Sequence, residues 1–326
     1  MSVSVRSFAK INIGLRIGPV RPDGFHELRT LYQTIGLHDV LRVTIARGSG
    51  IEIRSNAPAV PQDESNTCYR VAERVLHATR RRAKVTITIE KKLPVQGGLG
   101  GASSNAVATL LALERALRRQ LPPEDRMRIA AEVGSDLPLF LLGGLVLGSG
   151  RGEEVYPLED MPGIPCVVAT PAIGVSTPQA FARWDRLAET GSGRRGKLTA
   201  PAISSTINGF SHSVLAWLSG SSTGVPSRNV GDRAEALLLD LVRAGIENDF
   251  ERVVFPEYPE LRKVKRALER AGARYGSLSG SGSTVYGLFA SSAEAKRAAV
   301  RLTEGGIRAQ VTTTLPRRQY WRRMFV

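Results

Sequence analysis

The chain has 326 residues, of which 42% are apolar and 23% are charged. This length predicts about two domains, and this composition excludes a collagen-like or wholly disordered chain. No run approaches the ~18 consecutive apolar residues of a membrane span, and the first residues carry no apolar signal segment with a cleavage site. We therefore expect a cytoplasmic protein with a sizeable core.

The chain is strongly basic, with 45 lysine and arginine residues against 30 acidic residues and a formal net charge of +15. Part of the excess is local, because residues 80–84 and residues 316–325 each hold a cluster of basic side chains. Neither cluster contains a known nucleic-acid-binding module. The charge favours a solvated basic surface first, anionic small substrates second and a nucleic-acid partner last.

The chain has two cysteines, Cys68 and Cys166, which lie far apart and form no CxxC motif. This spacing argues against a zinc site or a disulfide framework. We expect two reduced, buried thiols.

The first half of the chain is predicted to be rich in strands. The alternating and helical patterns predict these elements in chain order: a strand at 4–17, a turn at 21–28, a hairpin-like strand pair at 40–46 and 50–55, a helix at 67–82, a strand at 85–90, and helices at 106–119 and 123–134.

The pattern restarts near residue 160, which predicts one domain over residues 1–160 and a second over residues 161–326. A helix is expected from Ser176 or Thr177, followed by a long Gly/Ser/Thr-rich insertion at about 190–232. The remaining elements are a strand at 165–171, helices at 234–245, 259–272 and 292–302, a strand-like run at 276–289, and a last strand at 310–315. Helices alternating with strands predict an α+β fold.

The most informative segment is the glycine-rich run over residues 97–104, between a strand and a helix. Backbone N–H groups in such a turn, at the start of a helix, form a cradle for phosphate. Ser103 and Ser104 add hydroxyls for phosphate or Mg²⁺. A plain flexible turn is the structural alternative. The run lacks the lysine of a Walker A loop and the downstream acidic residue of a dinucleotide fingerprint.

A second glycine-serine run, over residues 277–283, can brace the first, although a hairpin or a linker explains its composition equally well.

Two charged residues lie in apolar surroundings. Asp136 either caps a helix or does chemistry, because a buried carboxylate needs a partner. Lys10 lies in an apolar strand and shares a face with Asn12. If Lys10 and Asp136 meet, the lysine keeps the carboxylate ionised and directs it at a substrate hydroxyl, an arrangement suited to phosphoryl transfer.

A turn at residues 21–28 presents Phe25 beside His26. An aromatic face and a two-nitrogen hydrogen-bonding edge together suit a nucleobase site, although such a turn is more often structural.

Taken together, several segments resemble the GHMP kinases over nearly the whole chain. The segments are AKINIGLRIGPVRPDGFHEL at 9–28, LPVQGGLGGASSNA at 93–106, GSDLPLFLLGG at 134–144, STPQAF at 176–181, NDFE at 248–251 and SLSGSGSTVYGLF at 277–289. The two glycine runs are typical of the superfamily. The AKIN opening with PDGFHEL is similar to the branch that acts on 4-diphosphocytidyl-2-C-methyl-D-erythritol in non-mevalonate isoprenoid synthesis.

The resemblance implies ATP-dependent transfer of the γ-phosphate to the 2-hydroxyl of that substrate, with Mg²⁺. It implies an N-terminal domain like domain 2 of ribosomal protein S5 and a ferredoxin-like C-terminal domain, with ATP and substrate meeting between them. The partners would be these small molecules, with neither membrane nor nucleic acid, and the protein would be a monomer or a weak homodimer.

The resemblance also implies residue roles. Asp136 matches the catalytic base and Lys10 the lysine that orients and activates it. The positions expected at ATP are Asn66, Lys91, Pro94, Gly97, Gly98, Leu99, Gly100, Gly101, Ser103 and Ser104, with Ser104 also expected at Mg²⁺. The positions expected at the substrate are Asn12, Phe25, His26, Thr177, Phe181, Gly280 and Gly282.

The chain departs from the family pattern in places. Phe25 replaces a common tyrosine, and Gln96 and Ala102 replace common glycines, which predicts negative φ at both positions. Two other functions stay open: a GHMP kinase acting on another small alcohol, of the homoserine or mevalonate type, and a non-catalytic homologue that binds nucleic acid.

Overall fold

The computed structural model describes residues 1–190, 209–214, 217–218 and 230–326, so most of the predicted insertion at 190–232 lies outside the described residues. The strands are β1 Ser2–Val20, β2 His26–Ala46, β3 Gly50–Ser55, β4 Lys84–Glu90, β5 Leu145–Ser149, β6 Glu154–Pro157, β7 Pro165–Ala169, β8 Tyr275–Leu278, β9 Val285–Leu288 and β10 Ala309–Thr313. The helices are α1 Thr67–Ala78, α2 Gly101–Leu117, α3 Pro123–Val133, α4 Leu137–Phe140, α5 Thr177–Thr190, α6 Val230–Arg243, α7 Glu251–Glu257, α8 Pro259–Arg270, α9 Ser292–Glu304 and α10 Arg317–Met324.

The long strand β2 organises the first sheet. β1 pairs antiparallel along one edge of β2, while β4 and β5 share the other edge. The predicted hairpin between residues 40–46 and 50–55 is wrong, because β4 lies between β2 and β3 and runs parallel to β3. Parallel neighbours need a crossover, and α1 supplies it while burying one apolar face. The predicted turn also ends earlier than expected, because β2 already begins at His26.

The second sheet confirms the predicted α+β fold in the second half. Its strand order is β10-β7-β9-β8, and every neighbouring pair is antiparallel. Helices separate β7 from β8 and β9 from β10, which gives the β-α-β-β-α-β order of a ferredoxin-like fold. Leu261, Val264 and Leu268 of α8 share one buried cluster with Ala295 and Ala298 of α9, so both helices pack on this sheet.

Strand β1 connects the two sheets. Ile11 of β1 shares a buried cluster with Cys166 of β7 and Tyr286 of β9. The Tyr286 hydroxyl donates to the Asn12 carbonyl at 2.9 Å, and the Tyr275 hydroxyl donates to the Ile13 carbonyl. Burial raises the pKa of both tyrosines, so both hydroxyls remain donors. These bonds fix the middle of β1 at the junction of the sheets.

The arginine-rich end of the chain forms helix α10, which packs on the first sheet. The Tyr320 hydroxyl donates to the Phe140 carbonyl at 2.7 Å, and Trp321 Nε1 donates to the Leu142 carbonyl at 3.0 Å. These two bonds hold the segment that follows Asp136. The division of the chain at residues 160 and 161 stays a prediction, and α10 contacts the half that precedes it.

The two cysteines are free and buried, as predicted. Burial raises the pKa of Cys68 to about 12, so its sulfur stays a neutral thiol at physiological pH. Among the described residues, the structure contains no helix with the length and hydrophobicity needed to cross a membrane.

A fully buried carboxylate, Asp39, fixes the end of β4 to β2. It accepts from Lys91 Nζ at 2.6 Å, from Lys92 N at 2.7 Å and from Leu93 N at 2.8 Å. The Lys91 side chain is itself almost completely buried. Asp39 therefore fixes the position of the residues that lead from β4 into the glycine-rich run.

We expect Asp39→Ala to lower the free energy of unfolding by about 3–5 kcal/mol, because it leaves the Lys91 ammonium buried without its counter-charge. Urea denaturation measures this change. Asp125→Ala is the control, since Asp125 pairs with Arg128 at the surface, where ion pairs contribute little. Equal losses in the two variants would contradict the role of the buried pair.

Candidate active site

Lys10 of β1 and Asp136, the residue before α4, meet at the junction of the two sheets. Lys10 Nζ lies 3.3 Å from Asp136 Oδ2 and donates to Asn12 Oδ1 at 2.6 Å. The Lys10 side chain is 4% exposed and that of Asp136 is 32% exposed. The Asp136 carboxylate makes no capping hydrogen bond to α4, so it is not engaged as a helix cap. It is a partly open carboxylate beside a buried cation.

Tyr32 of β2 holds the second oxygen of this carboxylate. Its hydroxyl donates to Asp136 Oδ1 at 3.0 Å, and Lys10 Nζ lies 5.5 Å from the centre of its ring. Burial, reinforced by the Asp136 charge, raises the pKa of Tyr32 well above its usual value, so the hydroxyl stays a donor. Sequence reasoning missed Tyr32. No local pattern in the sequence identifies it, because its position opposite Asn12 depends on the register between β1 and β2.

Two further hydrogen bonds fix the Asn12 side chain, which in turn contacts Lys10. Asn12 Nδ2 donates to Thr30 Oγ1 at 2.7 Å, and Thr30 donates to the Gly14 carbonyl at 3.0 Å. The Asn12 amide is therefore held with its oxygen toward Lys10, and the ammonium is fixed between Asn12 and Asp136.

The glycine-rich run wraps over this pair and is braced by the second glycine-serine run. The Lys10 amide donates to the Leu99 carbonyl at 3.0 Å, and Ser279 Oγ donates to the Gly98 carbonyl at 3.0 Å. Gly98 has a φ of +78°, and a Cβ there would lie 2.1 Å from the Ser279 carbonyl oxygen. Only glycine fits such an approach. The contact that the sequence suggested between the two runs is therefore present.

One expectation about this run is wrong. Gln96 has a φ of +60°, in the left-handed region, where a negative value was expected. Its side chain is exposed, so the conformation meets no steric contact from the core and costs about 1–2 kcal/mol of local backbone energy. Ala102 lies inside α2 with helical geometry, as expected.

A cavity of about 310 Å³ lies between this run, the start of α2 and the segment before α1. Because Gly100 precedes α2 and has no side chain, no side-chain cap occupies the N–H groups of the first turn. The predicted ATP positions that line the cavity are Asn66, Lys91, Pro94, Gly97, Gly98, Leu99, Gly100, Gly101 and Ser103. The cavity thus offers uncapped backbone donors at the start of a helix, an arrangement that suits a polyphosphate, while Lys91 in its lining is paired with Asp39.

Ser104 differs from the other predicted ATP positions. It is buried, its hydroxyl accepts from the Ser7 hydroxyl at 2.7 Å, and it lines neither cavity described here. Ser103, one residue earlier, lines both. No group of three or more His, Cys, Asp or Glu side chains suited to a metal occurs among the described residues.

A second cavity of about 730 Å³ contains the Lys10–Asp136 pair and shares Gly98, Gly100 and Ser103 with the first. Six of the predicted substrate positions line it: Asn12, Phe25, His26, Thr177, Phe181 and Gly280. Gly282 does not line it and lies beside Leu278 instead. The two cavities meet at the catalytic candidates.

The far end of the second cavity is aromatic. His26 stacks on Phe181 with ring centres 5.1 Å apart and an interplanar angle of 7°. His26 Nδ1 donates to the Gly18 carbonyl at 3.0 Å, and Nε2 lies 2.9 Å from Asp185 Oδ1. The imidazole edge expected to face a base is thus engaged by the chain itself. The Phe25 ring remains open, at 53% exposure. Sequence reasoning missed Asp185.

The chain matches two domain families. The GHMP kinases N terminal domain matches residues 66–144, and the GHMP kinases C terminal domain matches residues 233–308. The chain is 41% identical over 287 residues to a 4-diphosphocytidyl-2-C-methyl-D-erythritol kinase from Solibacter usitatus, covering 87% of this chain and 80% of that protein. It is 34% identical to the protein of the same name from Nocardia farcinica, covering 95% and 92%.

Solved structures agree with this placement. A crystal structure of 4-(cytidine 5′-diphospho)-2C-methyl-D-erythritol kinase superposes with a TM-score of 0.71 at 30% identity, covering 95% of this chain and 98% of that one. A homoserine kinase from Cytophaga hutchinsonii superposes with a TM-score of 0.65 at 18% identity, covering 98% and 96%, and shares the fold. The chain belongs to the GHMP kinase family.

Proposed function

We propose that the chain transfers the γ-phosphate of ATP to the 2-hydroxyl of 4-diphosphocytidyl-2-C-methyl-D-erythritol, a step of non-mevalonate isoprenoid synthesis. The observation that carries the proposal is the Lys10–Asp136 pair at the meeting point of two cavities. One cavity suits a polyphosphate and the other ends in aromatic side chains. The names of the curated relatives support this substrate. We propose that the protein acts as a monomer or a weak homodimer.

In the proposed reaction, Asp136 accepts the proton of the substrate hydroxyl. The hydroxyl oxygen then bonds to the γ-phosphorus as the bond between that phosphorus and the ADP oxygen breaks. Lys10 pairs with Asp136 and places positive charge beside the transferring phosphoryl group. Tyr32 holds the second carboxylate oxygen, so the accepting oxygen keeps one orientation.

ATP occupies the smaller cavity in this proposal. Its phosphates contact the N–H groups of the glycine-rich run and of the first turn of α2, and Lys91 and Asn66 lie toward the adenosine. We propose Mg²⁺ as the accompanying ion. Mg²⁺ is commonly held in large part by substrate phosphates and water, and the Ser103 hydroxyl, which lines both cavities, would add a protein oxygen to it. The role expected for Ser104 stays a prediction that its burial does not favour. When bound, the ion neutralises charge on the phosphate oxygens.

The test is ATP consumption by the purified protein with Mg²⁺ and the proposed substrate, beside homoserine and mevalonate. NMR then locates the new phosphate on the product. Phosphate on the 2-hydroxyl supports the proposal. Turnover with only homoserine or mevalonate would assign the chain to another alcohol, and turnover with none would favour a homologue without this chemistry.

We expect Asp136→Asn to lower kcat by about 10²–10⁴-fold while ATP binding is retained, because an amide cannot accept the hydroxyl proton. Steady-state kinetics and nucleotide binding measure the two effects. Asp185→Asn is the matched control, since it removes another carboxylate from the same cavity. A comparable loss of kcat in both variants would contradict the assignment of the base to Asp136.

We expect Tyr32→Phe to lower kcat about tenfold with little change in the KM for ATP, because it removes a hydrogen bond to a charged group. Without this donor the Asp136 carboxylate has one fewer hydrogen bond that orients it, so the loss should appear in kcat and not in the KM for the alcohol substrate. Tyr156→Phe is the control, because Tyr156 is exposed on β6. A loss of stability with an unchanged kcat would show that Tyr32 is only a packing residue.

A further inference from the structure

The substrate proposed above carries a diphosphate between its base and the alcohol that is phosphorylated, and the following inference rests on that proposal. A diphosphate that lies along the second cavity needs a cation beside it. Among the described residues, the lysine and arginine side chains that line this cavity are Lys10 and Arg151. Lys10 already contacts Asp136 and Asn12 at the reacting end. Arg151 is the cation left for the diphosphate.

Arg151 lies in the turn between β5 and β6, and this turn contacts β2 through the two glycines that flank Arg151. Its neighbours Gly150 and Gly152 have φ values of +67° and +100°. The Leu28 amide donates to the Gly150 carbonyl at 2.7 Å, and a Cβ on Gly152 would lie 2.5 Å from the Tyr32 hydroxyl. The turn is therefore packed against β2, and Arg151 lines the same cavity as Phe25, Tyr32 and Asp136.

The guanidinium of Arg151 is held on one side and free on the other. Its Nε donates to Glu153 Oε1 at 3.1 Å, and its backbone amide donates to Glu153 Oε2 at 2.6 Å. Its Cζ lies 5.0 Å from the centre of the Phe25 ring. No described residue accepts a hydrogen bond from Nη1 or Nη2. The side chain is thus pre-organised, with its terminal N–H donors available to a ligand.

We propose that Arg151 is a substrate-binding residue that donates from Nη1 and Nη2 to the diphosphate oxygens. A guanidinium offers paired donors in a fixed plane, which matches the oxygens of a phosphate group. Its contact with Phe25 joins this diphosphate subsite to the exposed ring at the base end. Arg151 therefore lies next to the base end of the cavity while its terminal donors serve the diphosphate.

The test compares cytidine, CMP and CDP as ligands of the wild-type protein and of Arg151→Gln, with affinities measured by calorimetry. We expect Arg151→Gln to weaken CDP binding about tenfold or more, since hydrogen bonds to charged groups are strong, and to change cytidine binding less than about twofold. Arg54→Gln is the matched control, because it removes the same charge from an exposed position on β3. CDP binding should not change in that control.

Phe25→Leu separates the two parts of the proposal, because loss of the ring should weaken cytidine and CDP by the same factor. The same uniform loss in Arg151→Gln would overturn the diphosphate role and leave Arg151 as a support for Phe25. Unchanged CDP affinity in Arg151→Gln would also overturn the proposed contact between Arg151 and the diphosphate. If the wild-type protein binds neither CDP nor cytidine, the proposed substrate itself fails, which is a distinguishable result.

Discussion

A buried ammonium group is stable only beside an anion and with its donors engaged, and this constraint on Lys10 determines much of the surrounding structure. Asp136 supplies the anion at 3.3 Å and Asn12 accepts a hydrogen bond at 2.6 Å. Asp136 stands in place because α10 holds the segment after it, through Tyr320 and Trp321. The end of the chain therefore stabilises a carboxylate that lies far from it in sequence.

The burial of Lys10 also requires residues from both sheets, so the site lies where the two sheets meet. Strand β1 is paired with β2 over its length, yet the Tyr275 and Tyr286 hydroxyls of the second sheet donate to carbonyls of its middle residues. The glycine-rich run is then closed from the other side by Ser279. Lys10 is thus surrounded by elements of both halves, and neither half alone would complete the site.

Local patterns in the sequence predicted the features that are set by residues close together in the chain, such as the order of elements and which side chains share a strand face. The strand, glycine run and α2 follow one another as expected, and the two-residue spacing placed Lys10 and Asn12 on one face. Contacts set by pairing between distant segments were not predictable. Asp39 and Lys91 meet only because β4 inserts beside β2, and Tyr32 faces Asp136 only in the observed register. The left-handed Gln96 was missed because its cost is small at an exposed position.

The two cavities are built from different parts of the chain, and this difference bears on the substrate that we propose. On one side the smaller cavity is lined by Gly97, Gly98, Gly100 and Gly101, and backbone N–H groups in such a run bind phosphate without a particular side chain. The larger one is lined by side chains from the turn before β2, from α5 and from the turn after β5. A homoserine kinase shares the fold at 18% identity. The shared fold therefore does not fix the substrate; under the proposed function, Phe25, Phe181 and Arg151 of these three segments bind the cytidine diphosphate part, while Lys10 and Asp136 act on the hydroxyl.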